Sequence, residues 1–273
     1  VLTQYIGDID EYYSFRDLEK YLKFFMDVYK IDVKSSVIVS DMHPRYPSTL
    51  LAEEWAKRYR IPLLKVQHHW AHIAAVMAEY GIEEEVIGIA VDGVGYGLDG
   101  SPWGGEVLRV SYKGFERMGH LEPQPMPGGD AAVTYPARML GGILGRVMKD
   151  EEVTDVFRRL GLERSGLPKG ERELELILRQ IPSSPKTTST GRVLDAASAL
   201  LGICFKRTYE GEPAIRLEAF SKPCDDALGV QIKNPGKLVL DTSSLILEAL
   251  QLLENGRERG EIAYMIQKAV GYG

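Results

Sequence analysis

Cysteine is nearly missing. Only Cys204 and Cys224 occur in 273 residues, so at most one bridge is possible and no disulfide framework can hold the fold. No stretch at the start reads as a secretory signal, so both are expected to be reduced thiols in a cytoplasmic protein. Long apolar runs are missing too. Segments such as VIGIAVDG break well short of the roughly 18 to 20 residues a membrane helix needs, and no membrane partner is expected. Thirty-nine acidic against thirty-three basic residues give a net charge of -6. With no lysine- or arginine-rich stripe to track phosphates, no nucleic-acid partner is expected either. The chain starts at Val1 without an initiator methionine, which suggests a piece of something longer.

What is present is ample apolar content, 44% of the chain, arranged in two patterns. SFRDLEKYLKFFMDVYKI has apolar residues at helical spacing, with Ser14 as the expected N-cap. SVIVSD then reads as a buried strand, and PSTLLAEEWAKRYR as a helix capped by Ser48 or Thr49. PLLKVQ repeats the strand pattern and HHWAHIAAVMAEYG the helix pattern, closed by Gly81. Such alternation predicts an α/β unit with a parallel sheet. From Glu84 the pattern changes: EEVIGIAVDG, GGEVLRVSY and FERMGHLEP predict an antiparallel meander. Tyr135 to about Leu201 reads as mostly helical, and the strand candidate KLVLDT precedes helices at Ser243 to Glu254 and about Arg257 to Val270.

Three of the five histidines fall in VQHHWAH. His68 and His72, four apart on a helix, share one face, while His69 points elsewhere. Neutral imidazoles suit zinc, iron and similar ions but need a further ligand, commonly a carboxylate. Asp92, closing VIGIAVD, is the best candidate, because an open α/β sheet gathers ligands at the carboxyl ends of its strands. The plainer alternative is that His68 caps the helix and His72 packs. His43 and His120 stand alone and are read as surface or packing residues.

DGVGYGLDGSPWGGE, Asp92 to Glu106, packs six glycines into fifteen residues between two strands. That many glycines let backbone approach a ligand closely and let N–H groups line an anion site, with phosphate the expected anion. Nearby carboxylates on Asp92, Asp99 and Glu106 imply a cation as well. No G-x-x-x-x-G-K-S/T loop occurs and the glycines do not open a helix, so Walker and Rossmann sites are excluded. Strand, DG-x-G turn and strand match instead the phosphate hairpin of the actin, hexokinase and sugar kinase superfold.

Five segments, VQHHWAHIAAVMAEYG, DGVGYGLDGSPWGGE, PMPGGDAAVTYPARM, STGRVLDAASALLGI and TYEGEPAIRLE, stand in the order found in the HypF carbamoyltransferases of nickel-iron hydrogenase maturation. The chain resembles their C-terminal nucleotide-binding region. The resemblance implies two actin- and sugar-kinase-like α/β halves, 1–82 and 83–273, with a helical elaboration and with neither end complete. It implies transfer of a carbamoyl group from carbamoyl phosphate, through an ATP-derived carbamoyl adenylate, to the C-terminal cysteine of the partner HypE. Carried onto this sequence, the metal ligands are His68, His72 and Asp92, for zinc, iron or magnesium. The nucleotide and its metal fall to Gly93, Gly95, Gly104, Gly105, Glu106, Gly129, Asp130, Gly191 and Asp195, with Asp195 near the ribose. Val94 departs from the superfold's frequent threonine and removes a hydroxyl from the phosphate hairpin. The family's acylphosphatase, zinc-finger and adenylate-forming domains have no counterpart here, so the fragment is expected to be inactive alone. A carbamoyl- or threonylcarbamoyltransferase with another acceptor, and a non-catalytic ATP-binding docking module, are the competing readings.

Overall fold

The computed structural model describes residue 9, residues 11–233 and residues 238–272, and it divides into two compact units, Val1–Ala71 and His72–Gly273. The division falls inside one helix, His68–Tyr80.

In the first unit α1 (Tyr12–Val28) starts after Glu11, so Ser14 lies within its first turn and is not the N-cap. A short 3-10 turn at Val33–Ser35 leads into β1 (Ile38–Asp41). α2 (Pro47–Tyr59) carries Pro47 in its first turn, where proline's fixed φ suits a helix start and its missing N–H is not needed. Neither Ser48 nor Thr49 is therefore the cap, a position Tyr46 holds; the Thr49 hydroxyl donates instead to the Asp41 carbonyl at 3.3 Å. Leu51, Ala52 and Trp55 are buried along α2. β2 (Leu63–Val66) runs parallel to β1, with Ile38 opposite Leu63 and Asp41 opposite Val66. α3 (His68–Tyr80) follows directly and is ended by Gly81 in the left-handed region.

The second unit opens with the expected meander, β3 (Val86–Tyr96), β4 (Pro102–Ser111) and β5 (Gly114–Leu121), antiparallel throughout. Most of the glycine-rich segment is thus strand, with Gly104 and Gly105 inside β4. β6 (Gln124–Pro125) pairs with β7 (Lys186–Thr187) as a separate short ribbon. α4 (Asp130–Thr134) comes just before the expected helical stretch, whose first part is filled by α5 (Pro136–Val147), α6 (Asp150–Arg159), α7 (Leu162–Ser165) and α8 (Glu171–Gln180). α9 (Thr190–Leu200) and α10 (Glu212–Phe220) follow. β8 (Ile232–Lys233) and β9 (Leu238–Leu240) complete a five-stranded sheet of order β3-β4-β5-β9-β8, in which β9 is parallel to β5. The strand expected from Lys237 is seen from Leu238, Lys237 itself lying outside the described residues. Asp241 caps α11 (Thr242–Glu254), and α12 (Arg259–Tyr272) closes the chain.

Apolar faces of α5, α6, α8, α9, α11 and α12 meet in one core that includes Met139, Leu140, Phe157, Ile177, Ala197, Ile246 and Ile266. α9 also reaches the sheet, where Val193 packs with Leu121 and Leu240. This helix matters for the site because its first turn is held against β3 and β4. Among the described residues no helix is long and apolar enough to cross a membrane.

Candidate metal and nucleotide site

The turn from β2 into α3 separates three neighbouring histidines by role. Gln67, buried, accepts from Trp70 N at 2.9 Å, so Gln67 and not His68 caps the helix. Its Nε2 lies 3.1 Å from Nδ1 of His69, which is wholly buried, so His69 is the packing histidine of the group. His68 turns to the other side, with Nδ1 2.7 Å from Asp41 Oδ2. His72 is exposed one helical turn on. The two solitary histidines have local partners: His43 stacks on Tyr46 with ring centres 3.9 Å apart, and His120 Nδ1 donates to the Leu121 carbonyl at 2.8 Å.

Asp92 is set by a bulge. Val91 faces Gly105 and Gly95 faces Trp103, so Asp92, Gly93 and Val94 all stand opposite Gly104. A bulge of this kind bends a strand and re-aims its side chains, and bulges are common beside functional sites. The Asp92 carboxylate accepts from Gly93 N at 2.6 Å. Ligand-capable atoms of His68, His72 and Asp92 all lie within 4.8 Å of one another. Two imidazoles and one carboxylate form a donor set that fits zinc or ferrous iron and leaves coordination positions for water or substrate.

The glycine hairpin is tied to α9 at the same bulge. Ser189, the N-cap of α9, accepts from Arg192 N at 3.2 Å, while its hydroxyl lies 2.6 Å from Gly93 O and 3.1 Å from Asp92 O. A Cβ on Gly191 would lie 3.2 Å from Gly93 Cα, so two backbones touch here and glycine is what lets them. Gly93 has open space on its side-chain face, as has Gly129, which precedes the exposed Asp130 at the start of α4.

Several expected nucleotide residues are engaged elsewhere. A Cβ on Gly104 would lie 2.5 Å from Asp92 O, and one on Gly105 2.6 Å from the Leu121 side chain and 2.7 Å from Thr188 O. At both glycines the face that a Cβ would occupy is filled by the chain itself. Glu106 is wholly buried; it accepts from Arg117 Nε at 2.6 Å and Nη2 at 3.1 Å, and from the Thr188 hydroxyl. Asp195 is 1% exposed and paired with Arg192 at 3.0 Å, and does not face an open surface. Burial pushes its carboxyl up to about 6, against the opposing pull of Arg192 and Arg207.

Asp41, Arg117, Thr188 and Ser189 were not singled out from the sequence. Ser189 had a legible signal, a serine one residue ahead of a helical pattern; the others act across gaps of 11 to 82 residues that no local pattern reveals.

Comparison with known proteins shows the family. Residues 88–273 match the family described as carbamoyltransferase, Kae1-like domain, second subdomain, and residues 1–79 match the HypF Kae1-like domain. A probable carbamoyltransferase HypF of Methanocaldococcus jannaschii is 41% identical over 96% of this chain and 34% of its own length. The crystal structure of T. kodakarensis HypF superposes with a TM-score of 0.88 at 39% identity, over 98% of this chain and 35% of that one. Full-length HypF in its phosphate- and nucleotide-bound form superposes with a TM-score of 0.85 at 30% identity, over 98% of this chain and 34% of that one. The chain therefore spans about a third of the length of the relatives it matches. The fold is of the actin- and sugar-kinase-like α/β type that the hairpin implied.

Proposed function

The chain belongs to the HypF family of carbamoyltransferases, and we propose that it is the nucleotide- and metal-binding part of an enzyme that carries a carbamoyl group from carbamoyl phosphate to a thiol. In this reading water takes the phosphoryl group of carbamoyl phosphate, releasing inorganic phosphate and carbamate. A carbamate oxygen then bonds to the α-phosphorus of ATP as the bond to the β-phosphate breaks, giving carbamoyl adenylate and pyrophosphate. The acceptor is the C-terminal cysteine of a HypE partner: its sulfur bonds to the carbamoyl carbon, the bond from that carbon to the adenylate oxygen breaks, AMP leaves and the thiol proton passes to solvent. A reduced thiol acceptor suits the cytoplasm.

The observation that carries the reading is the convergence of His68, His72 and Asp92 beside a glycine bulge packed on the first turn of α9. Those three side chains would hold a divalent ion, which when bound supplies positive charge to polarise a carbonyl or phosphate oxygen. Gly93, Gly95 and Gly191 bring backbone close to the nucleotide, and the unpaired N–H groups that open a helix favour a phosphate there. Gly129 and Asp130 lie at the start of another helical turn and are assigned to the nucleotide's metal. We place the junction of the two functional halves between Ile82 and Val86, a reading supported by the interval between the matched regions 1–79 and 88–273.

The test is to give full-length protein carbamoyl phosphate, ATP and a peptide ending in cysteine, and to follow the peptide by mass spectrometry. One added carbamoyl group on the cysteine is expected. Transfer to a small molecule in preference to the peptide would overturn the acceptor, and ATP binding without any transfer would favour a docking module.

A further inference from the structure

Asp41 ends β1, and every oxygen it carries is engaged. Its Oδ1 accepts from His43 N at 2.7 Å, its backbone carbonyl from the Thr49 hydroxyl at 3.3 Å, and its Oδ2 lies 2.7 Å from His68 Nδ1. The carboxylate is thus clamped by the turn into α2 before it meets the imidazole. Both side chains are largely withdrawn from water, 16% exposed for Asp41 and 25% for His68, so the contact is only weakly screened. A carboxylate oxygen is an acceptor, so in this contact His68 Nδ1 is the donor.

We propose that Asp41 is a positioning residue that fixes His68 as the Nδ1–H tautomer and leaves the Nε2 lone pair for a divalent ion shared with His72 and Asp92. The inference rests on the metal reading above and deepens it. A neutral histidine has one lone pair to give, and the hydrogen bond at one ring nitrogen decides which nitrogen gives it. Asp41 also limits rotation of the ring, and its charge makes the remaining nitrogen a stronger donor. Without Asp41 the ring would divide its time between tautomers and rotamers, and only a fraction of molecules would present three ligands together.

The experiment uses full-length protein stripped of metal and titrated with zinc alone against a chromophoric chelator. Wild type, Asp41→Asn, Asp41→Ala and His72→Ala are compared, with the exposed Asp27→Asn as control. Asp41→Asn keeps the shape but removes the charge and one of the two acceptor oxygens, so it carries the test should Asp41→Ala fail to fold. Zinc affinity is expected to fall by roughly tenfold to a hundredfold in Asp41→Ala, less in Asp41→Asn, and not at all in Asp27→Asn. With the protein labelled with nitrogen-15 at histidine, His68 should report Nδ1–H in the metal-free wild type and a mixture of tautomers in Asp41→Ala. A purely structural Asp41 would lower the melting temperature yet leave both zinc affinity and tautomer unchanged, and that result overturns the inference alone. Equal zinc affinity in wild type and His72→Ala would instead overturn the metal reading, and the role of Asp41 with it.

Discussion

The Arg117 guanidinium lies 3.9 Å from the centre of the Trp103 ring, and its Nε donates to Glu106 at 2.6 Å. Glu106 in turn accepts from Thr188, directly before the Ser189 cap, so one buried carboxylate ties β4 to the start of α9. Removing one partner of a buried pair leaves an uncompensated charge, so Arg117→Ala should cost about 3 to 5 kcal/mol of unfolding free energy. Glu106→Gln in the same chain should recover part of it. Urea unfolding measures both, and an Arg117→Ala protein as stable as wild type would show that Glu106 needs no counter-charge.

The glycines should separate into two classes by substitution. Gly105→Val forces a branched side chain against Leu121 and the Thr188 carbonyl, and should lower the melting temperature through overpacking of about 1 to 3 kcal/mol or more, whether or not nucleotide is present. Gly93→Ala meets nothing within 4 Å, so it should leave stability near wild type and weaken ATP binding by keeping the phosphate off the backbone. Calorimetric titration of the full-length Gly93→Ala protein with ATP and magnesium is the check. Wild-type affinity would remove Gly93 from the nucleotide surface.

How far the sequence carried the reading depends on the range of the interaction concerned. Alternating strand and helix, the antiparallel meander and the helical stretch after Tyr135 follow from periodicities a few residues long, and all three appear. Caps were harder: Ser14 and Ser48 match the preferred residue types, yet Glu11 and Tyr46 hold the positions, and at α2 the reason is that Pro47 marks the helix start more strongly than a neighbouring hydroxyl. His68, His72 and Asp92 could be grouped because helix spacing and strand ends are local rules. The pairing of β5 with β9 joins Gly119 to Leu238, and the Asp41 to His68 contact joins the end of β1 to the start of α3, neither of which leaves a local trace. Glycine richness signals close approach without saying what approaches: at Gly191 it is the backbone of Gly93, and at Gly105 the chain's own Leu121.

Asp195 should give stability a pH dependence of recognisable sign. Burial raises its carboxyl in the folded chain to about 6, from 3.8 when unfolded, so between about pH 4 and 6 the native state holds a proton that the unfolded chain has released. Stability from this group is therefore greatest at the acidic end of that window and declines as pH rises through it. Asp195→Asn cannot titrate. Relative to this variant, wild type should lose up to about 3 kcal/mol of unfolding free energy between about pH 4 and 6.5, because each tenfold difference in proton affinity between the two states is worth about 1.4 kcal/mol. A difference between the two proteins that stays constant across the window would mean that Asp195 is ionised in the fold at acidic pH.

His72 offers the cleanest separation of metal binding from folding. It is exposed, so its truncation opens no cavity, whereas His69, wholly buried beside Gln67, cannot be removed without disturbing the helix start. His72→Ala in the full-length protein should therefore keep the melting temperature of the metal-free form and lower zinc affinity by roughly tenfold or more, since one of three protein ligands is gone. Asp92→Asn should behave in the same direction, because a neutral amide is a poorer ligand for a divalent ion than a carboxylate. His69→Ala should do the reverse, lowering stability first. Metal content after dialysis against dilute zinc, read beside thermal unfolding of the same samples, decides the matter: zinc lost with stability kept in His72→Ala supports the three-ligand site, and zinc kept would place the ion elsewhere.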